Sequence, residues 1–580
     1  MLSLVEIGQA ISSQSRAATE HAVLGPQRRI WAGFERLDRS LRQRPNLWMY
    51  SILGLGLIVR MWHASGTYLN PDEALHFFVA NKTTWWQTYQ ASLNVSHPPL
   101  LIFLLRVWRG LGTSELMLRL PSILAGTVFC WFAFRWLRML FEESAAWIAF
   151  TFIVFLSSSI DLSTEVRQYA LFLAFAMGSA YFLERALRNN SVRAMLASGV
   201  FLWFALFSHF SAFLFAAALG VYAILRMVKE KSPLKIVASW ELGQVVGLGI
   251  CYWLYVTQIS RLGQAYGGTN ATKGWMGNDY LGNSYYVPGR INPLLFVFAR
   301  TGGVFQYVFR QSAVGDLAFV LFLVGMVMIL RGRVRENPQV SNIAKPGASR
   351  PPYTGILLLL PFVFNCAAAL MRVYPYGGTR HSSFLIPFAL AAVGVALARF
   401  LKGRIVWGIL VALLVALICN LFPSKRLPYM SAESQRKANM TAAINLLRQL
   451  PAGEPIFTDY QTSLSLGHYL CDQRSVEQDR KMAGFISFEC GGHKVIVPAS
   501  TFLFSPRNFY EKWQSMVTEY PLKPGSKVCV TQMGWSTYLA FELANFPEFH
   551  IWPRYFGNNI QVFELAAGQS MPDPELLPTS

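Results

Sequence analysis

Apolar runs separated by short polar segments occupy most of the chain between residues 47 and 423. A helix that crosses a membrane needs about 20 predominantly apolar residues, and hydropathy therefore predicts about eleven crossings. The apolar segment Leu100–Trp108 is only about half that length, so we expect it to lie in the membrane interface. The predicted spans lie near residues 47–64, 119–140, 144–162, 167–188, 193–208, 210–228, 236–258, 313–331, 353–372, 382–400 and 404–422.

Ahead of the first span, apolar residues recur at helical spacing and arginines fill the positions between them. This pattern predicts a basic amphipathic helix on the cytoplasmic membrane face, within a cytoplasmic tail of residues 1–46. The alternative interpretation is a solvated helix with no special role. The apolar positions are Ile30, Trp31, Phe34, Leu37 and Leu41.

Beyond the last span, residues 424–580 are more polar and alternate between strand-like and helix-like patterns. This alternation predicts a small soluble α/β domain after the membrane domain of residues 47–423. Cys471 and Cys490 are candidates for a disulfide in an oxidising compartment, which would leave Cys529 in a strand. Strands are expected near residues 455–458, 494–497 and 527–530, and helices near 433–450, 463–470, 506–520 and 536–546.

The composition is that of a multispanning membrane protein. Hydrophobic residues make up 53% and charged residues 14% of the 580 positions, whereas soluble proteins carry about a quarter charged residues. The net charge of +20 comes from lysines and arginines in short loops between the apolar runs, as in cytoplasmic loops rather than nucleic-acid-binding surfaces. One membrane topology places every basic cluster on the cytoplasmic side. In this topology the N-terminus is cytoplasmic, the C-terminal domain lies outside, and residues 65–118 and 260–312 form outer loops.

The second outer loop is rich in aromatic residues, glycine and asparagine. Such residues suit contact with a sugar or an acceptor, and a loop of this kind can order over a donor. The alternative is a plain interfacial loop. The residues concerned are Tyr266, Gly267, Gly268, Trp275, Tyr280, Tyr285 and Tyr286.

The candidate chemistry lies at the outer ends of the predicted spans. Asp72 and Glu73 are adjacent carboxylates immediately after the first span. Charges at membrane depth are costly and usually functional, and arginine suits phosphate or carboxylate. A base facing an anion clamp is what group transfer from a phosphate leaving group needs. Four arginines lie at outer ends of spans, against the rule that basic residues flank spans on the cytoplasmic side. They are Arg119, Arg167, Arg372 and Arg380.

Each of these residues also has a structural interpretation. A single arginine can extend its charged group to the membrane interface or pair with a carboxylate, and Glu165 is such a carboxylate for Arg167. Asp72 can be a helix N-cap, because Pro71-Asp72-Glu73 is a good helix start. Glu73 in the first turn can simply compensate the helix dipole.

Five motifs lie in order along the chain. They are Asn70-Pro71-Asp72-Glu73, Ser96-His97-Pro98-Pro99-Leu100, Leu118-Arg119-Leu120-Pro121-Ser122, Glu165-Val166-Arg167-Gln168-Tyr169-Ala170 and Gly377-Gly378-Thr379-Arg380-His381. Together they resemble motifs of the membrane-embedded GT-C glycosyltransferases, and most of all of their protein O-mannosyltransferase-like branch, which includes bacterial enzymes that modify lipid A or lipopolysaccharide core. The resemblance is densest over residues 47–210, and it rests on the order, spacing and common membrane side of the motifs. In the fifth motif, histidine stands where the family has tyrosine.

The resemblance implies a donor sugar on a polyprenyl phosphate and an acceptor hydroxyl on lipid A, a glycan or a protein. Asp72 would be the general base of an inverting transfer, with Glu73 beside it. Membrane lipids, and no nucleic acid, are the other expected partners, in a bacterial inner membrane. Residues expected to bind the donor or its phosphate are Arg119, Arg167, Arg380, His381, His97 and Tyr169, and His76 and His209 are further candidates.

The resemblance implies no required cofactor. A divalent cation is nevertheless possible, because some members of the family bind one, and Glu73 or His97 would then be ligands. Structural alternatives stand beside several of these assignments. His97 can simply end an extended segment before two prolines, while His209 and Tyr169 can be interfacial residues.

Two other functions compete with this prediction. A polymerase or ligase of lipid-linked glycans would also work at the outer face, but the early Asp72-Glu73 pair and the His97-Pro98-Pro99 element argue against it. A flippase or transporter of lipid-linked sugars would favour an inverted repeat and broken helices at mid-membrane. The sequence has no evident repeat, and its polar residues cluster at one face.

Overall fold

A computed structural model describes most of the chain as a helical bundle with a sheet domain at one end. The loop residues Tyr266, Gly267, Gly268, Trp275 and Tyr280 lie outside its described residues. We call the end of the bundle that carries the sheet the domain end, and the other the opposite end. The described residues are 25–261, 281–332, 351–424, 436–473, 481–482, 484–499, 504–520, 522–523, 525–534, 538–546, 549–557 and 559–567.

The bundle confirms the predicted fold class, a polytopic helical membrane protein with a C-terminal sheet domain. Among the described residues, 8 helices are long and apolar enough to cross a membrane, or up to 9 if one bent pair is a single span. Two shorter helices match the remaining predicted spans, so each of the eleven predicted segments is helical. The helices are α1 Gly25–Gln43, α2 Pro45–Ser65, α3 Pro71–Ala80, α4 Trp85–Ser92, α5 Leu100–Trp108, α6 Glu115–Leu140, α7 Glu143–Phe155, α8 Ser157–Thr164, α9 Tyr169–Asn189, α10 Val192–Ser208, α11 Ser211–Glu230, α12 Leu234–Leu254, α13 Pro293–Phe309, α14 Ser312–Leu330, α15 Pro351–Leu370, α16 Ile386–Phe400 and α17 Ile405–Leu421.

Two details of the predicted spans were wrong. The segment 144–162 is not one straight helix, because α7 and α8 meet at an angle of 51°. The outer loop 260–312 is not wholly a loop, because it contains α13, a 17-residue helix that begins after the cap Asn292. Arg300 and Gln306 interrupt the apolar run of α13, which is why hydropathy missed it.

Three short helices, α3 to α5, lie at the domain end between the first and second spans. As predicted, Leu100–Trp108 forms a helix of only 9 residues, far shorter than a span requires. A 3₁₀ segment, Arg380–Leu385, leads into α16 at the same end. These short elements carry five of the ten predicted site residues, namely Asp72, Glu73, His76, Arg380 and His381.

The amphipathic helix α1 packs at the opposite end. The Asp38 carboxylate accepts hydrogen bonds from the backbone N–H groups of Ile405 and Val406, at 3.3 and 2.8 Å. Trp31 and Phe34 pack on the ring of Trp407. The predicted helix is therefore present and rests on the start of α17, while its contact with a cytoplasmic membrane surface stays a prediction.

The sheet domain is a 7-stranded mixed sheet between two pairs of helices, with the strand order β2-β3-β4-β1-β5-β7-β6. Strand β1 is parallel to β4 and β5, and the other pairs are antiparallel. Helices α18 and α19 pack on one face, and α20 and α21 on the other. The elements are α18 Lys437–Leu447, β1 Ile456–Thr458, α19 Tyr460–Tyr469, β2 Lys481–Met482, β3 Phe485–Cys490, β4 His493–Pro498, α20 Pro506–Glu519, β5 Lys527–Met533, α21 Leu539–Leu543, β6 Trp552–Gly557 and β7 Ile560–Ala566.

Sequence patterns predicted β1, β4 and β5 but missed β2, β3, β6 and β7. In β7 the buried polar residues Gln561 and Glu564 interrupt the apolar pattern. Cys471 and Cys490 are disulfide-bonded, as the sequence suggested. Cys529 is a free, buried cysteine in β5.

Candidate active site

The motif Asn70-Pro71-Asp72-Glu73 starts α3 through a capping box. The Asn70 side chain accepts a hydrogen bond from the Glu73 N–H at 3.0 Å, and the Glu73 carboxylate accepts one from the Asn70 N–H at 2.9 Å. Pro71 fills the first helical position, where its missing N–H does no harm. The cap is thus Asn70, and the alternative interpretation of Asp72 as the N-cap was wrong. The Asp72 carboxylate remains available for other contacts.

Glu73 and Arg119 form a buried ion pair that fixes this turn. Arg119 Nε and Nη2 donate to the two Glu73 oxygens at 2.8 and 2.7 Å. Arg119 also donates to the backbone oxygens of Ala64, Thr67 and Tyr68, at 2.7 to 2.9 Å. Glu73 is 0% and Arg119 is 1% exposed. This geometry gives both residues a structural role, so it does not favour the predicted roles of Glu73 in catalysis and Arg119 in phosphate binding.

Asp72 instead faces two other predicted arginines. Its Oδ2 atom pairs with Arg167 Nη1 and lies 3.4 Å from Arg380 Nη2. The side chains of Asp72, Arg167 and Arg380 are 16%, 4% and 11% exposed. Both guanidinium carbons lie 5.8 Å from the centre of the Tyr169 ring. The structure therefore brings four predicted site residues together, although more than 300 positions separate the first from the last.

Four histidines line up beside this cluster. Consecutive ring centres are 5.6 Å apart for His76 and His97, 6.0 Å for His97 and His209, and 6.3 Å for His209 and His381. The Tyr169 ring lies 5.0 Å from that of His209. All four residues were predicted from the sequence, two as donor-binding and two as further candidates.

Hydrogen bonds and burial set the charge of these histidines. His76 Nδ1 lies 2.8 Å from the Val166 carbonyl oxygen and therefore donates to it. His97 Nδ1 lies 2.8 Å from the Gln168 side-chain amide nitrogen and accepts from it. Burial, with the positive charge of Arg167, lowers the pKa of His76 to about 4 and that of His209 to about 3. The pKa of His97 is also well below its usual value, for the same two reasons. These three rings are thus neutral at pH 7.

Sequence reasoning missed a second buried ion pair next to this site. Asp161 Oδ2 accepts from Arg310 Nη1 at 2.6 Å, and Asp161 Oδ1 lies 3.4 Å from His63 Nε2. Asp161 lies in α8, inside an apolar stretch that was assigned to a simple span. A carboxylate at membrane depth is itself a signal of function, and this signal could have identified it.

Glu165 is a further buried carboxyl group, for which the sequence indicated only a pairing with Arg167. It lies between α8 and α9 and is 8% exposed. Burial, together with the negative charge of Glu73, raises the pKa of Glu165 to about 8. Glu165 is therefore mostly protonated at pH 7, and the ion-pair partner of Arg167 is Asp72 rather than Glu165.

Two other predicted features lie apart from the cluster. Arg372 is exposed, and its Nε donates to the Tyr286 carbonyl oxygen at 3.1 Å. Tyr286 in turn donates its backbone N–H to Ala369 at the end of α15. These contacts tie the described part of the 260–312 loop to the bundle.

The two residues proposed as cation ligands, Glu73 and His97, already form hydrogen bonds with protein groups. The two Glu73 oxygens accept hydrogen bonds from Arg119 and from the backbone N–H groups of Asn70 and Val166, and His97 Nδ1 is taken by Gln168. Within the described part of the chain, no three His, Cys, Asp or Glu residues are grouped to hold a metal ion. The donor set at Glu73 and His97 does not fit a cation site, and cation dependence stays a hypothesis.

The sequence model of one protein family matches part of this chain. The sequence model of the family described as dolichyl-phosphate-mannose-protein mannosyltransferase matches residues 96–255. This segment contains Arg119, Arg167 and Tyr169, so the match confirms the predicted resemblance over the second to fourth motifs. No curated protein matches the chain.

Solved structures give more distant similarities. ArnT from Cupriavidus metallidurans, in the apo state and bound to undecaprenyl phosphate, is 13% identical with a TM-score of 0.48; the alignments cover 91% of this chain and 100% and 99% of the ArnT chains. An oligosaccharyltransferase from Archaeoglobus fulgidus is 9% identical with a TM-score of 0.41, covering 74% of this chain and 64% of the other. Similarity at this level does not by itself identify a function.

Proposed function

We propose that the protein is a glycosyltransferase that moves a sugar from a polyprenyl-phosphate donor to an acceptor hydroxyl, with inversion at the anomeric carbon. The observation that carries this proposal is the Asp72 carboxylate held between Arg167 and Arg380 in a largely buried cluster. A carboxylate supplies a general base, and two guanidinium groups supply a clamp for a phosphate. The match to a family named for transfer from dolichyl phosphate mannose supports the donor class.

The donor phosphate takes the two arginines away from Asp72. In the described state both guanidinium groups contact Asp72 Oδ2, so this oxygen is already engaged and not open to an acceptor hydroxyl. When Arg167 and Arg380 bind the phosphate instead, Asp72 Oδ2 is released from both contacts and can accept a hydrogen bond from the acceptor hydroxyl. The base is thereby activated only in the presence of the donor, which favours binding of the donor before reaction of the acceptor.

In the transfer step Asp72 removes the proton of the acceptor hydroxyl. The acceptor oxygen forms a bond to the anomeric carbon, and the bond from that carbon to the phosphate oxygen breaks. The electron pair leaves with the lipid phosphate, whose developing charge Arg167 and Arg380 neutralise. The hydroxyl of Tyr169, which is buried without a hydrogen-bond partner among the described residues, is available to the phosphate. The neutral rings of His76, His97 and His209 supply uncharged hydrogen-bonding groups beside the sugar.

The site lies at the domain end, which we assign to the periplasmic face of a bacterial inner membrane. The basic clusters flanking the spans lie at the opposite end, as Arg138, Arg188 and Arg399 illustrate in the last turns of α6, α9 and α16. Positive charge marks the cytoplasmic side. The acceptor is then a lipid A, glycan or protein hydroxyl on the outer side.

The test is turnover of donor by the purified protein in nanodiscs. Radiolabelled polyprenyl-phosphate sugars are supplied with a membrane-lipid extract, and wild type is compared with Asp72→Asn. Asparagine keeps the size of the side chain and one acceptor oxygen, so we expect a folded variant whose rate is lower by about 10²–10⁴-fold. The matched control is Glu35→Gln, a change at an exposed carboxylate of α1, which should leave the rate unchanged.

Two results would contradict the proposal. One is equal turnover by wild type and a folded Asp72→Asn variant. The other is an absence of turnover with labelled lipid crossing the bilayer equally in both proteins, which is the behaviour of a transporter of lipid-linked sugars. Product that grows by repeated addition of a glycan unit would instead indicate a polymerase.

A further inference from the structure

The sheet domain reaches directly into the turn that carries Asp72. The Leu69 backbone N–H donates to the Tyr469 hydroxyl at 2.7 Å. That hydroxyl in turn donates to Glu115 Oε1 at 3.3 Å. Leu69 immediately precedes the capping residue Asn70, and Tyr469 ends α19, 400 positions further along the chain.

Several other contacts of the sheet domain surround the same turn. Lys437 Nζ pairs with Glu115 Oε2 at 3.0 Å, and the Lys437 backbone N–H donates to the Gly66 carbonyl at 2.9 Å. On the other side, the His468 ring meets the Phe77 ring edge-on, with centres 5.2 Å apart. Gly534 lies so close to Pro71 that a Cβ there would be 2.5 Å from Pro71 Cγ.

The membrane part and the sheet domain form hydrogen bonds with different backbone groups of this turn. From the membrane part, Arg119 takes the carbonyl oxygens of Ala64, Thr67 and Tyr68. The Asn70 N–H goes to Glu73 within the capping box. The Leu69 N–H has its acceptor in the sheet domain. A backbone N–H in this largely buried turn needs such an acceptor.

We propose that the sheet domain completes the active site, with Tyr469 as a positioning residue that holds Asp72 in place through the Leu69 amide. Glu115 orients the Tyr469 hydroxyl, because the carboxylate accepts its proton and leaves the oxygen lone pairs to Leu69. Burial and the charge of Glu115 hold the pKa of Tyr469 well above its usual value, so the hydroxyl stays a donor at neutral pH. This proposal rests on the glycosyl-transfer function proposed above.

Removing the hydroxyl should separate catalysis from donor binding. In Tyr469→Phe the Leu69 N–H loses its acceptor while Arg167 and Arg380 are untouched. A displacement of about 1 Å in a reacting group can cost about 10²-fold in rate. We expect kcat to fall by about 10-fold or more with the KM for the donor changed less than about 2-fold, and a smaller fall in kcat for Glu115→Gln. The control is Tyr510→Phe, a half-buried tyrosine on α20 at the other face of the sheet.

A second measurement does not depend on activity. Hydrogen exchange of the peptide covering residues 66–72 reports whether the turn is held, and Tyr469→Phe should accelerate this exchange whereas Tyr510→Phe should not. Unchanged exchange overturns the proposal even if the protein turns over no donor. A loss of thermal stability in Tyr469→Phe, with kcat per folded molecule as in wild type, also overturns it.

Discussion

At the scale of single residues, the charges at the candidate site fall into two groups. Glu73 and Arg119 satisfy each other and the backbone around them, and both are almost completely buried. Asp72, Arg167 and Arg380 share an arrangement in which one carboxylate oxygen serves two guanidinium groups. Breaking a buried pair such as the first typically costs about 3–5 kcal/mol of stability, whereas in the proposed function a donor phosphate takes the place of Asp72 beside the two arginines of the second group.

The pKa of Glu165 gives a prediction about pH. Since its pKa is raised to about 8, Glu165 is neutral in the folded protein below that pH and ionises as the pH rises through it. The new negative charge lies near Arg167 and Arg380 and competes with the donor phosphate for them. We expect the KM for the donor to rise by roughly 10-fold above pH 8, equivalent to a loss of about 1.4 kcal/mol. Steady-state kinetics from pH 6.5 to 9.5 measures this.

Glu165→Gln is the matched variant for this effect. Glutamine is uncharged at every pH, so the KM for the donor should stay flat across the same range. The same rise in the variant and in wild type would assign the pH dependence to another group.

These charged residues show which parts of the site could be predicted from the sequence and which could not. The spacing of charges along the chain was enough to select Asp72, Arg167 and Arg380, because charges next to apolar runs are conspicuous. It was not enough to separate Arg119 from them, because its partner Glu73 is 46 positions away and the pairing exists only once α3 and α6 pack together. Asp161 was missed because a single charge hardly lowers the hydropathy of a span.

At the scale of elements, the break between α7 and α8 changes the direction of the segment that carries Asp161 by 51°. A side chain inserted into the ladder of backbone hydrogen bonds is a recognised cause of helix kinks, and the side chains of Arg60 and Asn420 contact backbone groups at this break. Backbone groups freed by a break need partners inside a bilayer. Arg60 of α2 takes the Val154 carbonyl at 3.1 Å. Hydropathy measures how apolar a segment is and not its direction, so the sequence predicted a span there but not its bend.

Asn420 of α17 satisfies two more of these groups, which leads to a prediction. Its side chain accepts from the Ser157 N–H at 3.0 Å and donates to the Phe155 carbonyl at 2.9 Å. Asn420→Leu removes two hydrogen bonds at an exposed position, each of which typically contributes about 0.5–1.5 kcal/mol. We expect a lower midpoint of thermal unfolding in nanodiscs and weaker activity.

The control for Asn420→Leu is Leu417→Ala, which truncates an apolar side chain on the same helix that is 55% exposed. This change should have little effect on the midpoint. Equal midpoints for Asn420→Leu and wild type would show that the side chain of Asn420 does not stabilise the break.

At the scale of the whole molecule, the two parts of the chain meet at the turn that carries Asp72. The sequence predicted a membrane part and an α/β domain, since hydropathy changes sharply between them. It could not predict that α19 would lie on α3, because no local pattern records which surface of one part contacts the other. The described contacts make the sheet domain a structural support for Asp72 as well as a separate fold.

The disulfide between Cys471 and Cys490 offers a last test of this coupling. It joins the end of α19, two residues beyond Tyr469, to the end of β3 across a separation of 19 residues. A cross-link over a loop of this size stabilises a fold by about 3 kcal/mol in the chain-entropy description.

In the double variant Cys471→Ser/Cys490→Ser we expect a less stable sheet domain, faster hydrogen exchange at residues 66–72 and a lower kcat. Cys366→Ser, which removes a free cysteine of α15, is the control. Because Tyr469 of α19 accepts a hydrogen bond from the Leu69 N–H, greater mobility at the end of α19 should weaken this hydrogen bond and so affect the turn that carries Asp72. A destabilised sheet domain with unchanged exchange and unchanged kcat would show instead that the two parts are energetically independent.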